Sequence, residues 1–432
     1  MTGERPGYSA PMRRGPSVPV VVIAAVLIAV VGGAVALAIG AGAGWIGKST
    51  KTVVVNARSL SVGNTALPAS LRSSARALPG NGFDPARVYA ERSSGVVTIY
   101  AFFGDPADAS TEAAQGSGFV ISPKGYILTN SHVITNAGEG TGRVKAASHL
   151  FVEFDDRDRV AATVVGWDVY DDIGLLRVDP REHVLRPVPL GDSRSVVVGE
   201  SVAAIGSPLG NEDSLAVGVV SAIHRAIKAL TVARYNIVDA IQTDAPITHG
   251  NSGGPLFDAR GRVIGINAQI RSQSGTGNDS GVGFAVPIDA AKRSVRALVK
   301  NGHVRYAYVG ITTQDLTPAL AQVLGYSVNQ GALVEDVRPN GPGGRAGLRP
   351  SRRPVNALGY RDLCTGGDVV VSIDGQPVRN ADDLVRIVSF DLQPGAVSVF
   401  TIVRDGHRRT VAVTLGDRDK APAAVRSGPC GA

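Results

Sequence analysis

From about Val88 onward the chain is cut into short apolar runs by Gly, Asp and Pro. The runs include "GVVTIYAF", "GSGFVIS", "RVAATVVGWD", "IGLLRV", "SVAAIG", "AVGVVSAI", "GRVIGINAQI" and "GVGFAVPI". Many short strands at regular spacing predict an all-β barrel or sandwich. The 53 glycines supply the turns such a fold needs. The pattern then breaks at "DAAKRSVRALVKNG". There Ala290, Val295, Ala297 and Leu298 suit one helix face, and Gly302 suits its C-terminal end. A smaller unit follows, with five further β-runs and two helical candidates, "TPALAQVLG" and "NADDLVRIVSF". Asn380 is placed to cap the second of these. The expected organisation is a mainly β domain over residues 87–302, an α+β domain over 303–416 and a loose tail over 417–432.

The N-terminal region is of another kind. No residue is charged from Gly15 to Gly47. A membrane span needs about 20 apolar residues, whereas a secretory apolar region is usually about 7–15. A non-cleaved transmembrane helix over 18–47 is therefore expected, with a cytoplasmic tail over 1–17 and a linker over 48–86; the small residues around Ala36 to Ala43 keep a cleaved signal peptide as the alternative. Arg5, Arg13 and Arg14 precede the span and Lys48, Lys51 and Arg58 follow it, so flanking charge gives almost no orientation.

The net charge of +7 reads as ordinary surface arginine. No basic run is interleaved with aromatics, so nucleic-acid binding is not expected. Cys364 and Cys430 lie in no metal-ligand spacing, and the seven histidines include no HExxH pair. Neither a metal nor a cofactor is expected.

The chemistry-bearing stretch is "ITHGNSGGPLFD", in which Ser252 sits among glycines. Alone, this is compatible with a tight turn. A serine nucleophile needs a base, and the base needs an orienting carboxylate. His132 in "ILTNSHVIT" follows a strand-like run. Asp168, Asp171 and Asp172 in "WDVYDDIGLLRV" are the carboxylate candidates. Asp172 directly precedes an apolar run, which would draw it inward beside the histidine.

"TNSHVI", "DDIGLLRV" and "QTDAPITHGNSGGPLFDARGRVIGIN" resemble the three catalytic motifs of trypsin-like serine proteases of the HtrA/DegP family; "GSGFVIS" and "AIGSPLG" match it too. The resemblance covers about residues 88–300 and implies a trypsin-like double β-barrel. It makes His132 the general base, Asp172 its partner and Ser252 the nucleophile. The oxyanion hole would comprise the amides of Ser252 and Gly250, with Asn251. Pro246 occupies the floor of the primary pocket, where a tryptic enzyme carries Asp, which implies cleavage after small or medium aliphatic residues. Asp244 reads as structural. Asn267, Ala268 and Gln269 would hold the substrate as an added strand. His249 stands where the family commonly has Pro. It reads as a solvated loop histidine, a substrate contact or a pH-dependent gate of the oxyanion loop.

The second unit resembles a PDZ module. Tyr308, Val309, Gly310 and Ile311 match its carboxylate-binding loop, and "NADDLVRIV" matches the helix lining the peptide groove. The segment "RPSRRPVNALGYRDLCTG" is an insertion relative to that pattern. It carries Cys364, which could pair with Cys430 on the outer side of a membrane. The family implies an endoprotease acting on unfolded protein or peptide segments on the extracytoplasmic side, which the uncharged segment over 18–47 would anchor to the membrane. It also implies a homotrimer, for which Tyr89, Tyr100, Phe102 and Phe103 are candidate contacts if they are not barrel residues. The alternative is a PDZ-dependent chaperone or binding protein with little proteolytic activity.

Overall fold

The computed structural model describes residues 82–108, 110–138, 144–206, 214–228, 231, 236–247, 250–268, 282–421 and 430. All of them lie in the compact unit Ala77–Ala432. The expected span over 18–47 lies outside the described residues. Among those described, no helix is long and apolar enough to cross a membrane.

Helix α1 (Pro85–Arg92) leads into the first barrel, with Asp84 accepting from the Arg87 amide as its N-cap. The barrel is built from β1 (Val96–Phe102), β2 (Ala113–Val120), β3 (Tyr126–Thr129), β4 (His149–Glu153), β5 (Arg159–Asp168) and β6 (Ile173–Val178). It closes in the order β1-β2-β3-β6-β5-β4. A four-residue helix, α2 (Ser131–Ile134), follows β3. The second barrel comprises β7 (Ser201–Gly206), β8 (Ser214–Lys228), β9 (Asn236–Thr243), β10 (Pro255–Asp258), β11 (Val263–Ala268) and β12 (Gly283–Pro287), and closes as β10-β11-β12-β9-β8-β7. Alternation along β1 and β2 puts Ile99, Val97 and Val120 inside the first barrel. Ala204, Leu256 and Ile264 fill the second. Phe119, Leu128, Ile205 and Phe257 face outward from their barrels and pack between them. The two barrels thereby share one core along their seam.

Helix α3 (Ile288–Asn301) ends at Gly302, whose φ of +74° is the left-handed cap expected from the sequence. It buries Ala290, Ala291, Ser294 and Leu298. The candidate trimer aromatics are engaged within the chain. Phe102 meets Phe151 edge to face, Tyr100 lies under Arg159, Phe103 packs on the first barrel's core, and Tyr89 packs on the core between the barrels.

The second domain starts at β13 (Ala307–Tyr308), which pairs at the far end of the domain with β22 (Gly416–Asp417). Its main sheet runs β14 (Ile311–Leu316), β15 (Gly331–Val337), β18 (Val369–Ile373), β20 (Val397–Arg404), β21 (His407–Thr414), with β19 (Gln376–Pro377) beside β18. Helix α4 (Pro318–Leu324) has Thr317 as N-cap and Gly325 at its left-handed end. A one-turn α5 (Pro342–Arg345) precedes the insertion. Helix α6 (Ala381–Arg386) is capped by Asn380, as its sequence predicts, and continues as a π-turn over Ile387–Asp391. The insertion forms a hairpin, β16 (Arg353–Ala357) and β17 (Tyr360–Thr365). Its Ala357 and Leu363 pack with Leu316, Leu320 and Leu333 on the sheet face and α4. Cys364 is disulfide-bonded to Cys430.

Candidate active site

His132 sits in the first turn of α2, where β3 delivers it to the seam. Its ring is largely covered, with 13% of the side chain exposed. Asp172 lies just before β6, fully buried, with φ +51°. A non-glycine residue adopts that region only when its surroundings hold it there. The hold is visible: Asn130 donates its side-chain amide to the Asp172 carbonyl at 2.8 Å. The carboxylate then accepts from Ser131 Oγ at 2.8 Å and from the His132 amide at 3.1 Å on Oδ1. His132 Nδ1 lies 2.8 Å from Oδ2. A carboxylate only accepts, so Nδ1 carries the proton and Nε2 keeps its lone pair, facing the seam.

Ser252 is brought to the same seam from the second barrel by the turn before β10. The turn depends on Gly250 at φ +99° and Gly253 at φ +85°. It is latched on both sides. Gly253 donates to the Asn267 carbonyl at 2.9 Å, and Asn267 donates to the Gly254 carbonyl at 2.8 Å. From the first barrel, the Ser117 amide donates to the Ser252 carbonyl at 2.8 Å and Ser117 Oγ donates to the Gly250 carbonyl. A methyl on Gly253 would fall within 3.0 Å of Ser117 O and Thr129 Oγ1. Ser252 is 5% exposed, and its Oγ has no hydrogen-bond partner among the described residues, His132 included. The amides of Ser252 and Gly250 likewise donate to no described backbone group. Among the described residues, the Ser252 hydroxyl is thus left without a hydrogen-bond partner and the amides of Ser252 and Gly250 without a backbone acceptor.

The other expected site residues are distributed as follows. Asn251 is buried and donates its side-chain amide to the Pro246 carbonyl at 3.3 Å. Pro246 is itself exposed. Asp244 accepts from the Val219 amide at 2.6 Å, a structural role. Asn267 spends both backbone groups on the nucleophile turn and its side-chain amide on the Pro255 carbonyl. It therefore offers no free edge, and a substrate-binding edge in this region has to start beyond it. Ala268 is buried at the end of β11. His249 and Gln269 lie outside the described residues. In the second domain, Gly310 adopts φ +79°, the Val309 carbonyl accepts from Gly343 at 2.7 Å and the Gly310 carbonyl accepts from Arg338 at 2.9 Å. Strand β14, which continues from this loop, is an edge of its sheet, and α6 packs against it.

Asp168 and Asp171 are not alternatives to Asp172. Both point into a separate buried cluster with Ser294, Tyr306 and Arg293. Burial raises the Asp171 carboxyl to about 6 despite the nearby Arg293 charge. Burial works against the Arg293 cation, but Asp171, Tyr306 and Asp168 outweigh it and its pKa is raised. The roles of Ser117, Ser131 and this cluster carry no sequence signal beyond their neighbourhood to the motifs. Among the described residues, no group of three or more His, Cys, Asp or Glu side chains is arranged to hold a metal.

Residues 116–266 match the trypsin-like peptidase domain family and residues 307–415 match the PDZ domain family. The chain is 38% identical over 310 residues to a probable periplasmic serine endoprotease DegP-like of Pseudomonas fluorescens, covering 72% of this chain and 58% of that protein. It is 40% identical over 301 residues to Protease Do-like 1, chloroplastic, of Arabidopsis thaliana, covering 70% of this chain and 63% of that one. It thus spans about three fifths of these curated relatives. Among solved structures, the HtrA-type protease AlgW with a tripeptide superposes with a TM-score of 0.62 at 30% identity, covering 78% of this chain and 97% of that one. With its seam-borne serine, histidine and aspartate and the PDZ domain behind them, the chain belongs to the HtrA-type family of trypsin-like serine proteases.

Proposed function

We propose that the protein is an endoprotease that hydrolyses exposed peptide segments through an acyl-enzyme at Ser252. The observation that carries this reading is the buried Asp172 carboxylate on His132 Nδ1, which leaves Nε2 as a base at the seam that holds Ser252. Ser252 Oγ attacks the scissile carbonyl as Nε2 takes its proton. His132 then returns that proton to the leaving amine, and water completes the cycle by the same route. The amides of Ser252 and Gly250 receive the oxyanion, and each such donor is typically worth about 3 kcal/mol in the transition state. The resting Ser252 hydroxyl, unbonded among described residues, would engage His132 as substrate fills the cleft.

The edge strand β14, with α6 beside it, suits an extended peptide added to the sheet. Its carboxylate end would meet the Tyr308–Ile311 loop. Pro246, six residues before Ser252, is uncharged, so it offers no carboxylate to a basic residue before the cut. The uncharged segment over 18–47 would anchor the enzyme, with both domains on the extracytoplasmic side, in keeping with the periplasmic label of the Pseudomonas relatives. The test is casein hydrolysis and fluorophosphonate labelling of the purified protein beside Ser252→Ala. Labelling and cleavage lost in Ser252→Ala support the reading. A parent that neither labels nor cleaves rejects it.

A further inference from the structure

The sequence from Asp168 to Asp172 places three buried carboxylates within five residues: Asp168 is 2% exposed, Asp171 4% and Asp172 0%. Like charges this close, out of water, repel one another and cost more than any exposed cluster. One guanidinium bonds directly into this group. Arg293, from the middle of α3, donates through Nη2 to Asp171 Oδ2 at 2.6 Å and to Tyr306 Oη at 2.8 Å. Through Nη1 it donates to the Ser389 carbonyl, in the π-turn of the second domain, at 2.6 Å. Its plane lies 4.4 Å from the Phe390 ring centre and 4.9 Å from that of Tyr306. Tyr306 Oη in turn lies 2.6 Å from Asp168 Oδ2 and 2.9 Å from Asp171 Oδ2, and its one proton serves one of them at a time. Ser294 Oγ donates to Asp168 Oδ2 at 2.7 Å.

This cluster touches neither His132 nor Ser252. Its reach to them is through the backbone. Asp168 Oδ1 accepts from the Tyr170 amide at 3.0 Å, which closes the turn, and Asp171 is bonded directly to Asp172. The turn is therefore pinned at its Asp168 and Asp171 side chains by α3 and Tyr306, and at the Asp172 carbonyl by Asn130. Between these pins Asp172 holds its φ of +51°. The Arg293 and Tyr306 contacts add to the pairing of Asp168 with Ile173 and to the Ser131 and His132 bonds on the Asp172 carboxylate in holding the left-handed residue.

We propose that Arg293 is a positioning residue for the catalytic carboxylate: by neutralising Asp171 and bridging it to Tyr306 and the Ser389 carbonyl, it fixes the turn that aims Asp172 at His132. The proposal rests on Asp172 and His132 acting as read above. A lysine at this position reaches Asp171 but lacks the planar fork that spans three acceptors. A glutamine leaves Asp171 buried without a countercharge. The charged groups around Asp171 are Asp168 on its own turn, Arg293 from α3, Tyr306, Asp239 from β9 with His224 on it, and Arg418 after β22. Without Arg293, Asp171 loses the charge that holds its carboxyl down against burial, and the turn loses its bridge to Tyr306 and the Ser389 carbonyl.

The experiment measures kcat and KM on a peptide substrate across pH, normalised to sites titrated by a fluorophosphonate, for the parent, Arg293→Gln, Arg293→Lys and the double variant Arg293→Gln/Asp171→Asn. Arg293→Gln is expected to lose about tenfold to a hundredfold in kcat with KM little changed, the scale of an ångström-sized misplacement. Arg293→Lys falls between it and the parent. The double variant recovers part of the loss, because the carboxyl that lost its countercharge is removed with it. Parental kcat per titrated site in Arg293→Gln overturns the proposal. Should that variant not fold, the same parental result in Arg293→Lys overturns it. A parent without Ser252-dependent cleavage instead rejects the reading of the site itself, whatever Arg293 does.

Discussion

Gly253 is the point at which the nucleophile turn leaves no room. Its φ is +85°, and a Cβ there would come within 3.0 Å of both Ser117 O and Thr129 Oγ1. Gly302, at the end of α3, has a similar φ of +74° and nothing within 4 Å of a Cβ. Alanine at either position meets the left-handed backbone penalty, roughly 1–2 kcal/mol. Gly302→Ala stops there, offset by a few tenths to 1 kcal/mol from a stiffer unfolded chain. Gly253→Ala adds overpacking, typically about 1–3 kcal/mol. The total is about 2–5 kcal/mol, against about 1 for Gly302→Ala. Neither clashing atom yields easily, because Thr129 Oγ1 itself donates to Ser117 O at 2.7 Å. Relief has to come from the turn, by about 1 Å, and Ser252 is the adjacent residue. Such a shift costs on the order of a hundredfold in rate. Chemical denaturation of both variants, with fluorophosphonate labelling rates per folded molecule, separates the effects. Gly302→Ala is expected to label at the parental rate and Gly253→Ala about a hundredfold more slowly. If Gly253→Ala labels like the parent and loses no more stability than Gly302→Ala, the steric reasoning about this turn is wrong.

Asp172→Asn is expected to lower kcat by about 10⁴, since an amide facing Nδ1 enforces the tautomer that cannot accept the Ser252 proton; hydrolysis rates with unchanged KM would show it. Cys430→Ser opens a cross-link between residues 66 apart, and by the chain-entropy relation it should cost about 4 kcal/mol in denaturant melts, with reductant bringing the parent to the same level. The folded Asp171 carboxyl titrates near 6, above its ordinary value near 4, so the fold favours its protonated form. Its contribution is fully present below pH 4 and is lost as pH rises through 6, worth roughly 3 kcal/mol. Asp171→Asn should flatten the stability profile across that window.

Much of this was legible in the chain because it rests on local pattern. The barrel strands follow short apolar runs, Gly302 and Asn380 terminate and start helices as their residue types predict, and the motif residues His132, Asp172 and Ser252 come to one seam. The insertion was readable as an interruption but not as a hairpin, since its packing partners lie on α4 and the sheet. Three adjacent aspartates could be ranked but not separated by sequence, because what divides them is which partners reach them from far along the chain. Arg293 in "AKRSVRAL" looks like any solvated helical arginine; only the fold brings Asp171, Tyr306 and Ser389 around it. Asn267 fails as a substrate edge for a similar reason, as its backbone is taken by a turn that sequence does not place.

The place of α3 in the chain gives the active site a history. Arg293, Ser294 and Tyr306, which hold the acidic turn, are all made after Ser252. During synthesis, domains form from the N-terminus as the chain emerges. A nascent chain with both barrels complete but α3 still unsynthesised has its serine, histidine and aspartate and lacks the clamp on Asp172. The clamp is complete only once the chain has passed Ser389 in the second domain, so the serine, histidine and aspartate exist well before the turn that aims Asp172 is fully fixed.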